Sequence, residues 1–198
     1  MSQPLPLFIF LVSLAALVSG CRTAPQPKDI STIEGASHAS VHVLFDNTRS
    51  LPLSGTFGWG MSMVRVDSGV KDDLSVITER LHRSLLATLS EKGFTYAGTN
   101  PDYSIGFAVL VGTSLDEAEL NRAYGASLVF PKRVGDSPAV NYSAGVLIVD
   151  IVRRSDGHLL WRGAIKADID LALEEERKQA RCDGAVRELL RHYPVAAK

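Results

Sequence analysis

The segment GVLIVDIVRRSDGHLLWRGAIKADI, residues 145–169, predicts two antiparallel strands joined by a tight turn. Asp156-Gly157 is a residue pair that type I′ hairpin turns prefer at their two central positions. A two-residue loop then fixes which residues face each other. The predicted pairs are Val152 with Trp161, Asp150 with Gly163, Ile148 with Ile165, and Val146 with Ala167. A longer loop would change these partners.

The second strand of the hairpin alternates between apolar and polar residues. Because successive side chains on a strand point to opposite faces, three of them are predicted to face the core. These are Trp161, Ile165 and Ile169, and the opposite face carries Arg162, Lys166 and Asp168. In this register Asp150 lies on the core side, where an unpaired carboxylate is costly. We therefore expect Asp150 to accept a hydrogen bond from a backbone N–H or an arginine, and acid chemistry is the alternative.

The first strand of the hairpin is apolar on both faces. Two helices can cover only one face of a sheet, so the other face needs a different cover. The predicted second face carries Leu147, Val149 and Ile151, joined by Ala108 and Leu110, and with Arg162 it forms the candidate interaction face. One alternative is internal cover by residues 113–139 and the aliphatic stems of Arg162 and Lys166. The other is a protein partner, a second copy of the chain, or lipid.

Periodicity in the rest of the chain predicts the other layer of the fold. Strand-like segments span residues 40–45, 55–64 and 102–112. One amphipathic helix has its apolar stripe at Leu74, Ile77, Leu81, Leu85 and Leu89 and stops near Gly93. A last helix has its stripe at Cys182, Ala185, Val186, Leu189 and Tyr193. The sequence therefore predicts an α+β two-layer sandwich over residues 40–195, with an antiparallel-rich sheet and two amphipathic helices on one face.

The first 21 residues are typical of a bacterial lipoprotein signal peptide. Residues 7–18 are continuously apolar but would span only about 18 Å as a helix, which is short for a membrane span. The stretch LVSGC, ending at Cys21, resembles the lipobox, where only a thiol can take a diacylglycerol as a thioether. We expect a signal peptide over residues 1–20, lipidation and acylation at Cys21, and a flexible tether over residues 21–39. An ordinary secretory signal and an uncleaved anchor remain alternatives, since this segment contains no Lys or Arg.

Composition and motifs give no sign of enzymatic or nucleic-acid-binding activity. The 21 basic and 22 acidic residues nearly balance, which argues against a nucleic-acid partner. The glycine-rich stretch at 55–60 lacks the spacing of a phosphate-binding loop. His38 and His42 would lie about 13 Å apart on a strand, too far to share a metal. Cys182 fits a small buried residue, with a free or intermolecular thiol as the alternative. We expect no cofactor, no metal and no catalytic residues.

The order of motifs resembles a family of bacterial lipoproteins. FGWG after an extended segment, NPDYSIGFAV after a helix ending in KGF, LLWRGAI in the hairpin and a final helix closing with LLRHYP are similar to the domain-of-unknown-function 4136 family. The similarity covers roughly residues 40–195. It implies an envelope lipoprotein with an α+β fold, and it brings no activity or site residues with it.

These observations predict a lipid-anchored cell-envelope protein. Arg22 does not match the aspartate of an inner-membrane retention signal, so we expect an outer-membrane protein that faces the periplasm. The favoured role is a non-enzymatic binding or assembly module with an envelope protein partner or self-association. The alternative is a binder or carrier of a small apolar or lipid ligand, which requires a cavity between the sheet and the helices.

Overall fold

The computed structural model describes residues 33–34, 36–45, 50–66, 73–112 and 142–194. These residues form a six-stranded sheet and two helices. In chain order the elements are β1 (Ala36–Phe45), β2 (Gly55–Val66), α1 (Leu74–Glu91), β3 (Phe94–Tyr96), β4 (Tyr103–Gly112), β5 (Tyr142–Arg153), β6 (Leu159–Asp170) and α2 (Glu175–Arg191). The predicted α+β class is confirmed.

The sheet is mixed, with the strand order β1-β6-β5-β4-β2-β3. The pairs β1/β6, β6/β5 and β5/β4 are antiparallel, whereas β2 is parallel to both β4 and β3. Helix α1 connects the parallel pair β2 and β3, as parallel strands require a crossover. The short strand β3 was not predicted, because three residues are too few to show periodicity.

Both helices begin and end where local chemistry dictates. Asp73 caps α1 by accepting hydrogen bonds from the backbone N–H of Ser75 at 2.8 Å and from its hydroxyl at 2.8 Å. Gly93, with a φ of +90°, lets the chain leave α1 in a conformation that residues with a Cβ avoid. In α2, Glu175 and Glu176 occupy the first turn and Arg191 the last, in line with the helix dipole.

The core lies between one face of the sheet and both helices. Alternate residues of β4 supply Ile105, Phe107, Val109 and Val111. They pack in one buried cluster with Leu81, Leu85 and Leu89 of α1 and with Val186, Leu189 and Leu190 of α2. Trp161 and Ile165 of β6 join the same cluster, so the predicted core face of β6 is confirmed.

The register of the hairpin differs from the prediction by one residue. The backbone N–H of Arg153 donates to the carbonyl of His158 at 2.8 Å, so the loop is longer than two residues. An irregularity between Ile151 and Val152 then shifts the pairing, and Trp161 lies opposite Ile151 instead of Val152. Because side chains alternate with a period of two, this one-residue shift exchanges the two faces of β5.

The predicted interaction face is therefore wrong. Leu147, Val149 and Ile151 lie in the core beneath the helices. Arg162 lies on the opposite face of the sheet, across from Asp150. Its guanidinium donates to both carboxylate oxygens of Asp150, Nε to Oδ1 at 2.6 Å and Nη2 to Oδ2 at 2.5 Å. The arginine partner expected for Asp150 is thus present, although on the other side of the sheet.

The face of the sheet away from the helices has an apolar centre. Register places Ala108 opposite Ile148, Leu110 opposite Val146, and Ile148 opposite Ala164. All five side chains are buried. Segment 113–139, one of the covers that the sequence suggests, lies outside the described residues.

The N-terminal predictions fall on residues that are not described, Cys21 among them. Strand β1 begins at Ala36, which lies inside the predicted tether at 21–39. No helix within the described parts of the chain is long and apolar enough to cross a membrane.

Candidate functional site

An apolar cavity of about 520 Å³ lies between the sheet and the helices. It occupies the end of the domain where both helices begin. Its lining is mainly aliphatic, and it includes Val109, Val111, Leu147, Ile165, Ile169, Ile77, Leu81, Cys182 and Ala185. A volume of this size falls within the range of about 300–1,000 Å³ that is typical of small-molecule sites.

The floor of the cavity is built from two neighbouring rows of the sheet. Val109, Leu147 and Ile165 lie directly across from one another on three adjacent strands. In the next row, Val111 lies opposite Gly145, and Gly145 lies opposite Ala167. The second row contains two of the smallest residues, and the side chain of Ile169 lies over Gly145, where an added Cβ would meet it at 3.1 Å.

The opposite end of the same interface is filled by aromatic rings. The ring of Tyr193 packs edge-on against Trp161, with centroids 5.4 Å apart, and against Phe94 at 6.0 Å. Its hydroxyl donates to the carbonyl of Pro52 at 2.6 Å, and burial raises the pKa of Tyr193 above its usual range. A Cβ at Gly163 would lie 2.3 Å from the Trp161 ring, so this contact requires glycine.

Three basic side chains line the cavity together with the aliphatic residues. They are Arg80 from α1 and Lys178 and Arg181 from α2. No acidic residue belongs to the lining among the described residues. The Glu175 carboxylate, outside the lining, pairs with Arg80 and with the Lys178 ammonium, the latter at 2.7 Å. Arg181 donates from Nη1 to the carbonyl of Asp170 at 2.6 Å.

Polar contacts between α1 and α2 hold two walls of the cavity together. The hydroxyl of Ser84 donates to Asp183 at 2.6 Å, and the amide of Gln179 donates to Asp183 at 2.8 Å and to Ser84 Oγ at 3.0 Å. These bonds are partly buried, where they are less exposed to competition from water. The spacing of the helices at the cavity is therefore fixed by direct contacts.

Within the described parts of the chain, no group of three or more His, Cys, Asp or Glu side chains could hold a metal ion. His82 stacks on Trp59 with ring centroids 4.1 Å apart, and it packs edge-on against Phe107 at 5.3 Å. Burial lowers the pKa of His82 below its ordinary value. Its surroundings are aromatic, which suits a packing role.

Sequence reasoning found part of this site and missed the rest. Leu147 lines the cavity, but as a wall of the core and not as part of an outer face. Val149 and Ile151 are buried in the core, and Arg162 lies on the far side of the sheet. The basic residues were missed, although a signal existed: extending the predicted stripe of α2 back by four residues from Cys182 reaches Lys178.

The family model for the domain of unknown function DUF4136 matches residues 43–195 of this chain. The chain belongs to the DUF4136 family. The resemblance predicted from its motifs is therefore confirmed. No curated protein sequence matches the chain.

The solved structures that match this DUF4136 member are distant from it in sequence. A PelC dodecamer from Paraburkholderia phytofirmans has 9% sequence identity and a TM-score of 0.42, and the match covers 77% of this chain and 94% of that chain. A PDZ domain protein from Parabacteroides distasonis has 14% identity and a TM-score of 0.48. That match covers 84% of this chain and only 38% of the other.

Proposed function

We propose that this DUF4136 protein is a lipid-anchored cell-envelope binding module without enzymatic activity, and that it holds a small apolar or lipid ligand in the cavity between the sheet and the helices. The cavity is the observation that supports this role most directly. Its walls come from four strands and both helices, and its lining is mainly aliphatic. Removing an apolar chain from water into such a space is favourable at roughly 0.8 kcal/mol per methylene.

The lipid anchor of the proposal rests on the lipobox-like sequence at Cys21. Two or three acyl chains give stable membrane attachment, whereas a single chain gives only marginal binding. An anchored binder would meet apolar ligands at the membrane surface, where they are concentrated. The proposed location is the outer membrane, on the side that faces the periplasm.

Photo-crosslinking in membranes tests the cavity. Membranes that contain the full chain are irradiated with an alkyl diazirine probe, and the adducts are mapped by mass spectrometry. We expect adducts on peptides of β5 and α2 that include Leu147 and Ala185. The variant Ala185→Phe places a ring in the cavity and should reduce this labelling several-fold, while Arg187→Phe on the exposed side of α2 should not.

The result that contradicts the proposal is labelling that is confined to other surfaces, or labelling of β5 and α2 that Ala185→Phe leaves unchanged. A stability measurement on Ala185→Phe accompanies the experiment, so that loss of labelling through unfolding is recognised.

Lipidation is tested by replacing Cys21 with serine. The wild-type chain should incorporate a fatty-acid analogue and partition into a detergent phase. Cys21→Ser should take up no label, and it should remain as the precursor or appear in a form that is not membrane-bound. A wild-type chain that takes up no label would exclude the anchor.

A further inference from the structure

The basic side chains at the cavity indicate the chemistry of its ligand. We infer that the ligand is an amphiphile with an apolar chain and an anionic head group, a carboxylate or a phosphate, and that Lys178 and Arg181 bind this head group. The inference rests on the proposed function, because it assumes that the cavity holds a ligand.

The first observation is the charge of the lining. Three of its side chains are basic, and none of its described residues is acidic. The side chains of Arg80 and Lys178 are only 10% and 13% exposed, so these cations are largely removed from water. An apolar space bordered by partly desolvated cations favours an anion over a neutral or cationic group, because electrostatic attraction is stronger where water is excluded.

The second observation is the placement of the acidic residues near the cavity. Glu174, Glu175 and Glu176 lie at the start of α2 and are exposed, and Asp183 is bonded to Ser84 and Gln179 between the helices. Glu175 bridges Arg80 and Lys178 from outside the lining. The Glu175 carboxylate thus holds two of the basic side chains in place and offsets one positive charge, so the three cations of the lining keep a net positive charge.

The third observation is the arrangement of the cationic residues along α2. Lys178, Arg181, Cys182 and Ala185 recur at helical spacing, so they form one stripe that faces the cavity. The basic residues occupy the beginning of that stripe and the small apolar ones continue it. A head group at Lys178 and Arg181 therefore places an attached chain along Cys182 and Ala185. Arginine and lysine both bind carboxylates and phosphates through charge-assisted hydrogen bonds.

Competition between matched amphiphiles tests the inference. Membranes that contain the full chain are labelled with a diazirine fatty acid, and four unlabelled competitors with the same dodecyl chain length are added in turn. These are dodecanoate, dodecyl phosphate, dodecanol and dodecyltrimethylammonium. We expect the better of the two anions to compete at about a tenfold lower concentration than dodecanol, and the cation to compete least. The two anions distinguish a carboxylate ligand from a phosphate ligand.

Paired variants locate the head group. The double variant Lys178→Met with Arg181→Met removes two positive charges from the lining. The ratio between the concentrations at which dodecanol and the better anion compete should then fall close to one. Arg177→Met with Arg187→Met removes the same charge from α2 outside the lining and should leave the preference unchanged. If the first pair prevents folding, the competition on the wild-type chain still decides the question.

The outcomes separate this inference from the proposed function. Labelling of the cavity with equal competition by dodecanoate, dodecyl phosphate and dodecanol would overturn the anionic head group and leave the apolar site standing. A preference that the control pair removes as fully as the lining pair would also overturn it. Absence of labelling at β5 and α2 by both the diazirine fatty acid and the alkyl diazirine probe would overturn the proposed function itself.

Discussion

The two ends of the sheet–helix interface differ in how they are filled, although the same strands and helices build both. At one end, Trp161, Tyr193 and Phe94 pack edge to face and leave room only for a glycine at position 163. At the other end, aliphatic residues and Gly145 surround about 520 Å³ of open space. The difference indicates that the aromatic end supplies stability, whereas the aliphatic end leaves the space that the proposed ligand would occupy.

The largest expected effect comes from removing a ring from the aromatic end. Trp161 is fully buried, and Trp161→Ala should lower the free energy of unfolding by about 3–5 kcal/mol, because it removes a large ring from a packed core. Arg187→Ala, on the exposed side of α2, should change it by less than about 0.5 kcal/mol. Urea unfolding of both variants measures the difference. A loss below about 1 kcal/mol for Trp161→Ala would contradict the assignment of stability to this end.

The sequence predicted the layers of this fold better than it predicted the relation between the two faces of β5. Periodicity depends only on which residues alternate, so the helices, the five longer strands and the core face of β6 were found. The face of β5 depends on a single irregularity beside Val152, and no residue pattern marks it. One clue was present: pairing Asp150 with Arg162 leaves no unpaired carboxylate, whereas the predicted pairing placed Asp150 opposite Gly163.

The cavity could not be predicted because it is a property of packing between elements. Sequence shows which residues are apolar, but it does not show how far apart two layers stand. The basic part of the lining was closer to prediction, since Lys178 and Arg181 fall on the helical face that continues to Ala185. The sequence signal for such a site is a helical stripe whose first residues are basic and whose later residues are apolar.

Equal truncations at the two ends should have unequal costs. Leu189 lies beside the Trp161 ring, and Leu189→Ala should lower the free energy of unfolding by about 2–5 kcal/mol. Leu147 lies at the cavity, and the loss for Leu147→Ala should fall at the lower limit of that range. A side chain that borders open space has fewer neighbouring atoms to lose. Urea unfolding of the two variants measures the ratio. Equal losses would indicate that the cavity end is packed as tightly as the aromatic end.

Enlarging two adjacent residues of α2 should separate the ends further. Val186 is fully buried in the core, and Val186→Phe should destabilise the protein by about 1–3 kcal/mol through overpacking. Ala185 lines the cavity, so Ala185→Phe has space for its ring and should change stability by less than about 0.5 kcal/mol. Thermal or urea unfolding of both variants gives the comparison. Strong destabilisation by Ala185→Phe would mean that the space does not admit a ring.

The smallest expected effect is the pH dependence of stability that His82 contributes. This residue of α1 stacks on Trp59 and so extends the aromatic packing onto the helix. Burial lowers the pKa of His82 in the folded protein below the value of 6.5 that it has when unfolded. Well above pH 6.5 both states are neutral and stability is at its full value. As the pH falls below 6.5, the unfolded chain takes up the proton first, so stability declines until the folded pKa is passed.

His82→Gln should remove this contribution, and it should flatten the stability profile between about pH 7 and pH 5. Urea unfolding of the wild-type chain and of His82→Gln across that interval measures the slopes. The lowered pKa values of Asp73 and Asp102 act at more acidic pH, because both start from 3.8 and are held lower by hydrogen bonds from Ser75 and Thr56. Their effect therefore does not overlap with that of His82. Identical slopes in the two proteins would show that the imidazole is solvated, and that the packed aromatic region ends at Trp59.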